Sequence, residues 1–411
     1  MPRIVVIGAG AAGTMAAIFA ASAGAETVLV ERTNDGGRKI LISGGGRCNI
    51  LPAQLDESRF ITDSPAHMVR RIVRSWPLRE QRAFFERDLA LPLVEESGSG
   101  KLFPKSQSAR EVRDRLLAHA RRKGVSVITG TLVTAVEPSS GRWIVSRHDG
   151  QPLDADAVVL ATGGLSVPKT GSDGLGLAMA AQLGHAVNPT YPALTPLLAK
   201  RGAAPFAELS GLSLPVAITA RSATREARAA GGFLFTHQGY SGPSVLDVSH
   251  VAVRSLADGA EPARLTVQWT PLRDAEWDAA LRPRGTRTVL AAVGAALPHR
   301  LAEALLALND IDPSLPLAQL GRSERRRLID TLVRGPLPWT GDEGYRKAEV
   351  TGGGVSLSDI DPATMESRRH RGLFLCGEML DAFGPIGGYN FLWAWATGRA
   401  AGIGAAKRGA P

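Results

Sequence analysis

The chain has 411 residues, 44 % hydrophobic and 21 % charged, which excludes a disordered chain and allows two or three domains around a large core. Its two cysteines, Cys48 and Cys376, lie far apart, which argues against a disulfide framework or a zinc site and fits a reducing cytoplasm. The net charge is +9, with forty arginines and eight lysines, so the chain favours polyanions such as nucleic acid or simply carries a basic surface.

Residues 4–25 contain no charge, but Gly8, Gly10, Gly13 and Gly24 interrupt the apolar run and only Arg3 precedes it. That pattern argues against a secretory signal and a membrane span. Arg3-Ile-Val-Val-Ile7 reads instead as a buried strand entering Gly8-Ala9-Gly10-Ala11-Ala12-Gly13, a glycine turn that opens a helix. In such a unit the first glycine permits the turn and the second admits a pyrophosphate. The third lets helix and strand pack closely. The phosphates would sit on free N–H groups at the helix N-terminus. Thr27-Val-Leu-Val-Glu31 is a second strand ending in an acid placed to hold an adenosine ribose. Arg32 follows it directly.

The next loop alternates glycine with cations: Arg38, Lys39, then Ser43-Gly44-Gly45-Gly46-Arg47-Cys48-Asn49. It can offer backbone donors and positive charge to phosphates and a flavin ring. Residues 64–88 predict two short helices, with Met68, Val69, Ile72, Val73 and Trp76 on one face. Arg70, Arg71, Arg74, Arg79 and Arg82 lie on the other, either as a solvated face or as an anion-binding one. Ser108-Ala-Arg-Glu111 predicts a capped helix whose end, Arg121-Arg-Lys123, suits the helix dipole. Strands are expected at 125–129, 132–136 and 143–147. Ala157-Val-Val-Leu160 should return the chain to the first sheet through Ala161-Thr162-Gly163-Gly164. No second complete glycine fingerprint occurs, because Gly174-Leu-Gly-Leu-Ala-Met179 lacks its third glycine; a dedicated NAD(P)H domain is not expected.

From Pro192 the composition shifts, with Pro192, Pro196, Pro205 and Pro215 punctuating strand-like runs that suggest a small β-barrel or sandwich. Residues 272–335 carry apolar residues at helical spacing, including Val289, Val293, Leu297, Leu301, Leu305 and Leu308. The chain should rejoin the barrel near Ala348–Val350 and the first sheet at Gly372-Leu-Phe-Leu-Cys376. Gly377-Glu378, with Asp381, would face a ribityl chain and pyrophosphate. Gly387-Gly388-Tyr389-Asn390 opens an apolar helix whose positive end would stabilise an anionic reduced flavin.

Several separated motifs carry a family resemblance. They are Gly8–Gly13, residues 37–49, Leu102-Phe-Pro-Lys-Ser-Gln-Ser108, Leu160–Gly164, Thr170–Gly174, Leu234–Pro243, Thr351-Gly-Gly-Gly-Val355, Leu375–Asp381 and Gly387–Asn390. Together they resemble the bacterial NAD(P)/FAD-dependent oxidoreductase flavoproteins of aminoacetone-oxidase-like, bile-acid-reductase-like and ribosomal RNA dihydrouridine synthase-like type. The resemblance implies an α/β fold: a Rossmann-type FAD-binding domain (1–190 and 352–411), an inserted β-barrel substrate domain (191–271 and 336–351) and a helical insertion (272–335). It implies FAD as cofactor, NAD(P)H as transient reductant, and cofactor contacts that also include Val133. The activity implied is reduction of an activated carbon–carbon double bond, by hydride from flavin N5 and a proton from an acid. The substrate would be a uridine of large-subunit ribosomal RNA, or a small-molecule enone or amine. A flavin-binding scaffold without turnover is the reading from another class. Cys48, His237 and Tyr389 are the candidate proton donors, with no metal and no membrane partner. Arg70–Arg82 and Arg121–Lys123 are the candidate RNA contacts.

Overall fold

The computed structural model describes residues 1–199, 206–257, 259 and 261–408. Pro205, one of the prolines that mark the composition shift, lies outside them. The chain divides into two compact units, Met1–Pro192 with Glu349–Pro411, and Ala193–Ala348.

The first unit is built on a five-stranded parallel sheet, ordered Leu373–Leu375, Ala157–Leu160, Arg3–Ile7, Glu26–Val30, Ser126–Ile128. Its central strand has Ile4, Val5 and Val6 fully buried, as expected of a strand covered on both faces. Val5 sits between Val158 and Val28, so the glycine turn after Ile7 falls at the carboxyl end of the sheet's middle. That is where open α/β sheets bind ligands. An antiparallel meander (Val133–Ser139, Arg142–Arg147, Leu153–Ala155) connects the Ser126–Ile128 strand to Ala157–Leu160. Both strand returns expected from the sequence, at residue 157 and after Gly372, join this sheet.

Two long helices lie together against the sheet. The Ala11–Ser22 helix packs on the C-terminal Tyr389–Arg408 helix through small residues. A β-carbon on Gly398 would collide with the Ala12 carbonyl, and one on Gly402 with the Ala16 carbonyl. Partners four apart on both helices mean that the helices run parallel. Trp393 and Trp395, both buried, donate from Nε1 to the carbonyls of Gly377 and Ile50 (3.1 Å each), so large apolar surface is covered without orphaning either N–H. The predicted helices of residues 64–88 form as Ala66–Arg74 and Leu78–Ala83, with Met68, Val69, Ile72, Val73 and Trp76 buried.

In the second unit seven strands form one antiparallel sheet, from Gly335–Pro336 at one end to Gly341–Asp342 at the other. Among the described residues no ladder joins these two edge strands, which only residues 337–340 separate, so no pairing marks the closure of the expected β-barrel. Both edge strands are two residues long, and Pro336 lacks the N–H that would extend the ladder. Helices at Asp274–Ala280, Val289–Val293, His299–Ala307 and Arg322–Arg334 follow. Trp277, Val289, Val293, Leu301, Leu305 and Leu332 share one core with the sheet residues Ile218, Phe233 and Val267. Leu308 does not: it lies past the end of its helix and is 44 % exposed. The segment expected to rejoin the barrel at Ala348–Val350 instead leads into Val350–Val355. That strand pairs with Val187–Ala193 rather than with the seven-stranded sheet. No helix among the described residues is long and apolar enough to cross a membrane.

Candidate functional site

The glycine turn is shaped by three different constraints. Gly8 has φ +102°, and a β-carbon there would lie 2.6 Å from the Ala161 carbonyl, so the turn needs glycine for its own fold. At Gly13 the opposing atom is the Gly8 carbonyl, which the helix start approaches too closely for any side chain. Gly10 is different. No protein atom lies within 4 Å of a β-carbon built there, and its φ of −77° suits any residue. The space above Gly10 is thus open, the cradle that a pyrophosphate fills in a dinucleotide site. The helix that follows has no side-chain cap and no acid in its first turn, so its leading N–H groups are available to an anion.

Glu31 is 7 % exposed and braces the turn. Its Oε2 accepts from the Ala9 N–H, and its Oε1 from the N–H and hydroxyl of Thr33, each at 2.7 Å. Those three bonds leave a carboxylate one acceptor direction for a ribose hydroxyl. Arg32 pairs with Asp173, and Arg38 with Asp35 at 2.7 Å, which holds the Asp35 carboxyl below the ordinary range. Arg47 pairs with Glu96 at 2.7 Å and lies 4.2 Å above the Phe103 ring. The cations expected to face phosphates are therefore partnered within the protein. Gly44, Gly45 and Gly46 all have positive φ and are exposed, forming a left-handed turn at the lip of the loop. Ser43 closes it by donating to the Ile40 carbonyl.

Lys39 belongs to a polar network that the sequence did not reveal. Its Nζ donates to Glu378 Oε2 at 2.5 Å and to Ser166 Oγ at 2.7 Å. Glu378 Oε1 accepts from the Ser166 hydroxyl and from the N–H and hydroxyl of Thr351, at 3.0 and 3.1 Å from the latter two. Thr351 Oγ1 in turn accepts from the Leu165 and Ser166 N–H groups. Four separated stretches thus meet at one carboxylate, whose segment is held by the C-terminal helix. The Gly377 N–H donates to Thr397 Oγ1 (3.0 Å), and its carbonyl accepts from Trp393. Ala161 continues the sheet, Thr162 packs against Gly176, and Gly163 turns at φ +74° beside Ser172. Val133 starts the meander and is buried. Thr351 opens one of the family motifs and Ser166 lies two residues past another, but only the fold brings them to Glu378.

Asp381 has a structural task. Its Oδ2 accepts from Ser64 Oγ and Asn188 Nδ2 (2.7 Å each), the Asp63 N–H and Thr62 Oγ1, and the residue is 2 % exposed. Those donors tie this carboxylate into the fold, where the sequence suggested a residue facing the cofactor. Asn390 clamps its loop, accepting from the Gly384 N–H and donating to the Gly384 carbonyl, both at 2.9 Å. Asn49, with its amide oriented to satisfy both ends, donates to the Leu51 carbonyl and accepts from the Gly388 N–H. It ties the first glycine loop to the last, where Gly388 packs against the Leu51–Pro52 backbone. Gly387 faces open space, and the helix after it has no acid in its first turn. Since Ala12 faces Gly398, this second helix begins about 12 Å farther back than the first, at 1.5 Å per residue. The two positive helix ends are staggered along one line.

The proton-donor candidates fare unequally. Cys48 is fully buried, and burial pushes its thiol up to about 12 despite a bond with Ser43. A thiol with no accessible surface reaches neither cofactor nor substrate, so its expected acid role is not supported. Tyr389 is 4 % exposed, its hydroxyl accepts from the Asp56 N–H at 3.2 Å, and its ring packs on Phe60. His237 lies exposed in the second unit's Thr236–Gly239 turn.

Comparison with known proteins agrees with this geometry. The model of the HI0933-like protein Rossmann domain matches residues 2–404. The chain is 34 % identical to a 3-dehydro-bile acid delta(4,6)-reductase from Clostridium scindens, over 99 % of this chain and 100 % of the relative. It is 33 % identical to the ribosomal RNA dihydrouridine synthase of Escherichia coli, over 96 % and 95 %. Its fold is similar to that of a 3-ketosteroid-delta4-(5alpha)-dehydrogenase from Rhodococcus jostii, with a TM-score of 0.51 at 16 % identity over 98 % and 97 % of the two chains. With the match running almost end to end, the chain belongs to the HI0933-like family of Rossmann-fold flavoproteins and is an FAD-dependent oxidoreductase.

Proposed function

We propose that the protein reduces a carbon–carbon double bond conjugated to a carbonyl. The observation that carries this reading is the pair of staggered parallel helix ends, at Gly10–Ala11 and Gly388–Tyr389, joined by the Lys39–Ser166–Glu378–Thr351 network. One end suits a pyrophosphate and the other the pyrimidine edge of a reduced flavin. Bound FAD supplies hydride for such a reduction. The residues around it bind and orient: Glu31 offers a carboxylate acceptor to a ribose hydroxyl, Glu378 holds Lys39, Ser166 and Thr351 together, and the helix ends stabilise negative charge. The chemistry is supported by the names of the two relatives, since a 4,6-dien-3-one and uridine both present an electron-poor alkene.

Within that class we favour a uridine of ribosomal RNA. The net charge of +9 and the exposed Arg70, Arg71 and Arg79 favour a polyanionic substrate. A small-molecule enone is the second reading, favoured by the equally extensive likeness to a bile-acid reductase. NAD(P)H is proposed as the reductant. The cytoplasm is proposed as the compartment, in keeping with two buried, unpaired cysteines. The test is deletion of the gene followed by mass spectrometry of large-subunit RNA, alongside salt-dependent RNA binding by the purified protein. Loss of one dihydrouridine and binding that weakens with salt support the RNA reading. Unchanged RNA together with enone turnover transfers the proposal to a small molecule.

A further inference from the structure

We propose that Glu349 is the acid that delivers the second hydrogen of the reduction, as a proton to the substrate carbon beside the one that accepts hydride. This rests on the reductase reading above and adds to it the identity of the proton source. Glu349 is exposed between Ala348 (0 %) and Val350 (6 %), so its side chain is turned out of the packed interior to where water and substrate reach it. Its backbone lies at the cofactor network: its carbonyl is 3.4 Å from Ser166 Oγ, and Thr351, two residues on, binds Glu378.

The charged groups that face it are Lys39 and Glu378, with Arg346 and Lys347 preceding it in the chain. Lys39 is already committed to Glu378, so Glu349 is a second carboxyl beside one engaged cation. Desolvation of the carboxyl raises its pKa, Lys39 opposes the rise, and Glu378 adds to it. Exposed to solvent yet crowded by protein, the carboxyl is desolvated while a substrate can still reach it.

The other acids of the first unit's site are spent. Glu378 and Asp381 are held as hydrogen-bond acceptors by several donors each, Glu31 braces the glycine turn, and Cys48 and Tyr389 are buried. Hydride from reduced flavin forms a C–H bond at the β-carbon, and the alkene electron pair moves onto the carbonyl as an enolate. The Glu349 O–H bond then breaks as the α-carbon takes its proton, and water reprotonates the carboxylate. Flavin is oxidised by two electrons and the alkene reduced by two.

The test uses the full-length holoprotein, reduced with dithionite and mixed anaerobically with cyclohex-2-enone or a large-subunit rRNA transcript. Wild type, Glu349→Gln, Glu349→Asp and His237→Gln are compared. We expect Glu349→Gln to slow flavin reoxidation about 10²–10⁴-fold, with FAD affinity unchanged. The fall in rate at high pH should disappear in that variant, Glu349→Asp should recover part of the rate, and His237→Gln should match wild type. Reoxidation by Glu349→Gln at the wild-type rate with the wild-type pH profile overturns the proposal. Transfer of that loss to His237→Gln does the same. If wild type is reoxidised by neither probe, the reductase reading itself fails and takes the proposal with it, a result distinct from an active wild type with an equally active variant.

Discussion

Gly398 lies against the carbonyl of Ala12, leaving no room for a β-carbon between the C-terminal helix and the helix of the glycine turn. This contact sets the stagger of the two helix ends. Substituting Gly398→Val should therefore destabilise the protein by about 1–3 kcal/mol through overpacking. It should also weaken FAD binding more than the stability loss alone explains, because it displaces one helix end from the other. Thermal melts with and without added FAD check both parts; an unchanged melt would show that the helices can separate freely.

Gly8 and Gly10 separate a folding requirement from a binding one. Gly8→Ala should cost about 1–3 kcal/mol in the FAD-free protein, because the position needs a positive φ and lies against the Ala161 carbonyl. Gly10→Ala meets nothing and should leave the FAD-free melt unchanged or slightly raised, by about 0.4–1 kcal/mol. Its FAD affinity should nevertheless fall at least tenfold. Fluorescence titration with FAD, set beside denaturation of the apoprotein, distinguishes the two variants.

The Lys39–Glu378 pair is partly buried, with side-chain exposures of 26 % and 18 %. Lys39→Met leaves the Glu378 carboxylate facing Ser166 and Thr351 without its cation and should cost about 1–3 kcal/mol. Adding Glu378→Gln should return part of that loss, since the orphaned charge goes with it. The interaction energy from the double-mutant cycle is the readout, and strict additivity would contradict the network.

Both thiols should be silent in the native protein. Cys48 and Cys376 have no accessible surface and burial raises both pKa values, so a disulfide reagent at pH 8 should modify neither until denaturant is added. The sign of the pH effect follows from the raised folded value. The thiol stays neutral in the fold while the unfolded chain ionises from about pH 9, so stability falls as pH rises from there toward 12. Urea midpoints at pH 8.5 and 10.5 should show that fall, and Cys48→Ala should lessen it.

The first sheet was legible because its strands are short apolar runs ending in glycine turns, a local pattern that tertiary packing reinforces. Gly8–Gly13 and the returns at Ala157 and Leu373 needed no partner to be recognised. The Pro243–Ala257 helix was not legible. Its buried face is Val245, Val248, Val251 and Ala252, and the three β-branched valines read as readily as strand. The barrel expectation rested on strand-like runs, which do not reveal whether two edges meet; here the edge strands are Gly335–Pro336 and Gly341–Asp342. At the site, Glu378 was visible from its glycine, but Ser166 and Thr351 were not. Each is an ordinary hydroxyl residue until the fold places it beside a carboxylate 212 or 27 residues away. Cys48 misled because a cysteine in a glycine-rich loop looks accessible, whereas the loop turns it inward at φ +61°.

In the proposed reaction, FAD bound along the two helix ends passes hydride to an electron-poor alkene. Anaerobic stopped-flow absorbance of the reduced holoprotein, mixed with a conjugated enone or with ribosomal RNA, tests it most directly. The oxidised flavin spectrum should return in a single turnover with one of these, with a saturated product formed in equal amount. Flavin that stays reduced with both, in a protein shown to bind FAD, would contradict it.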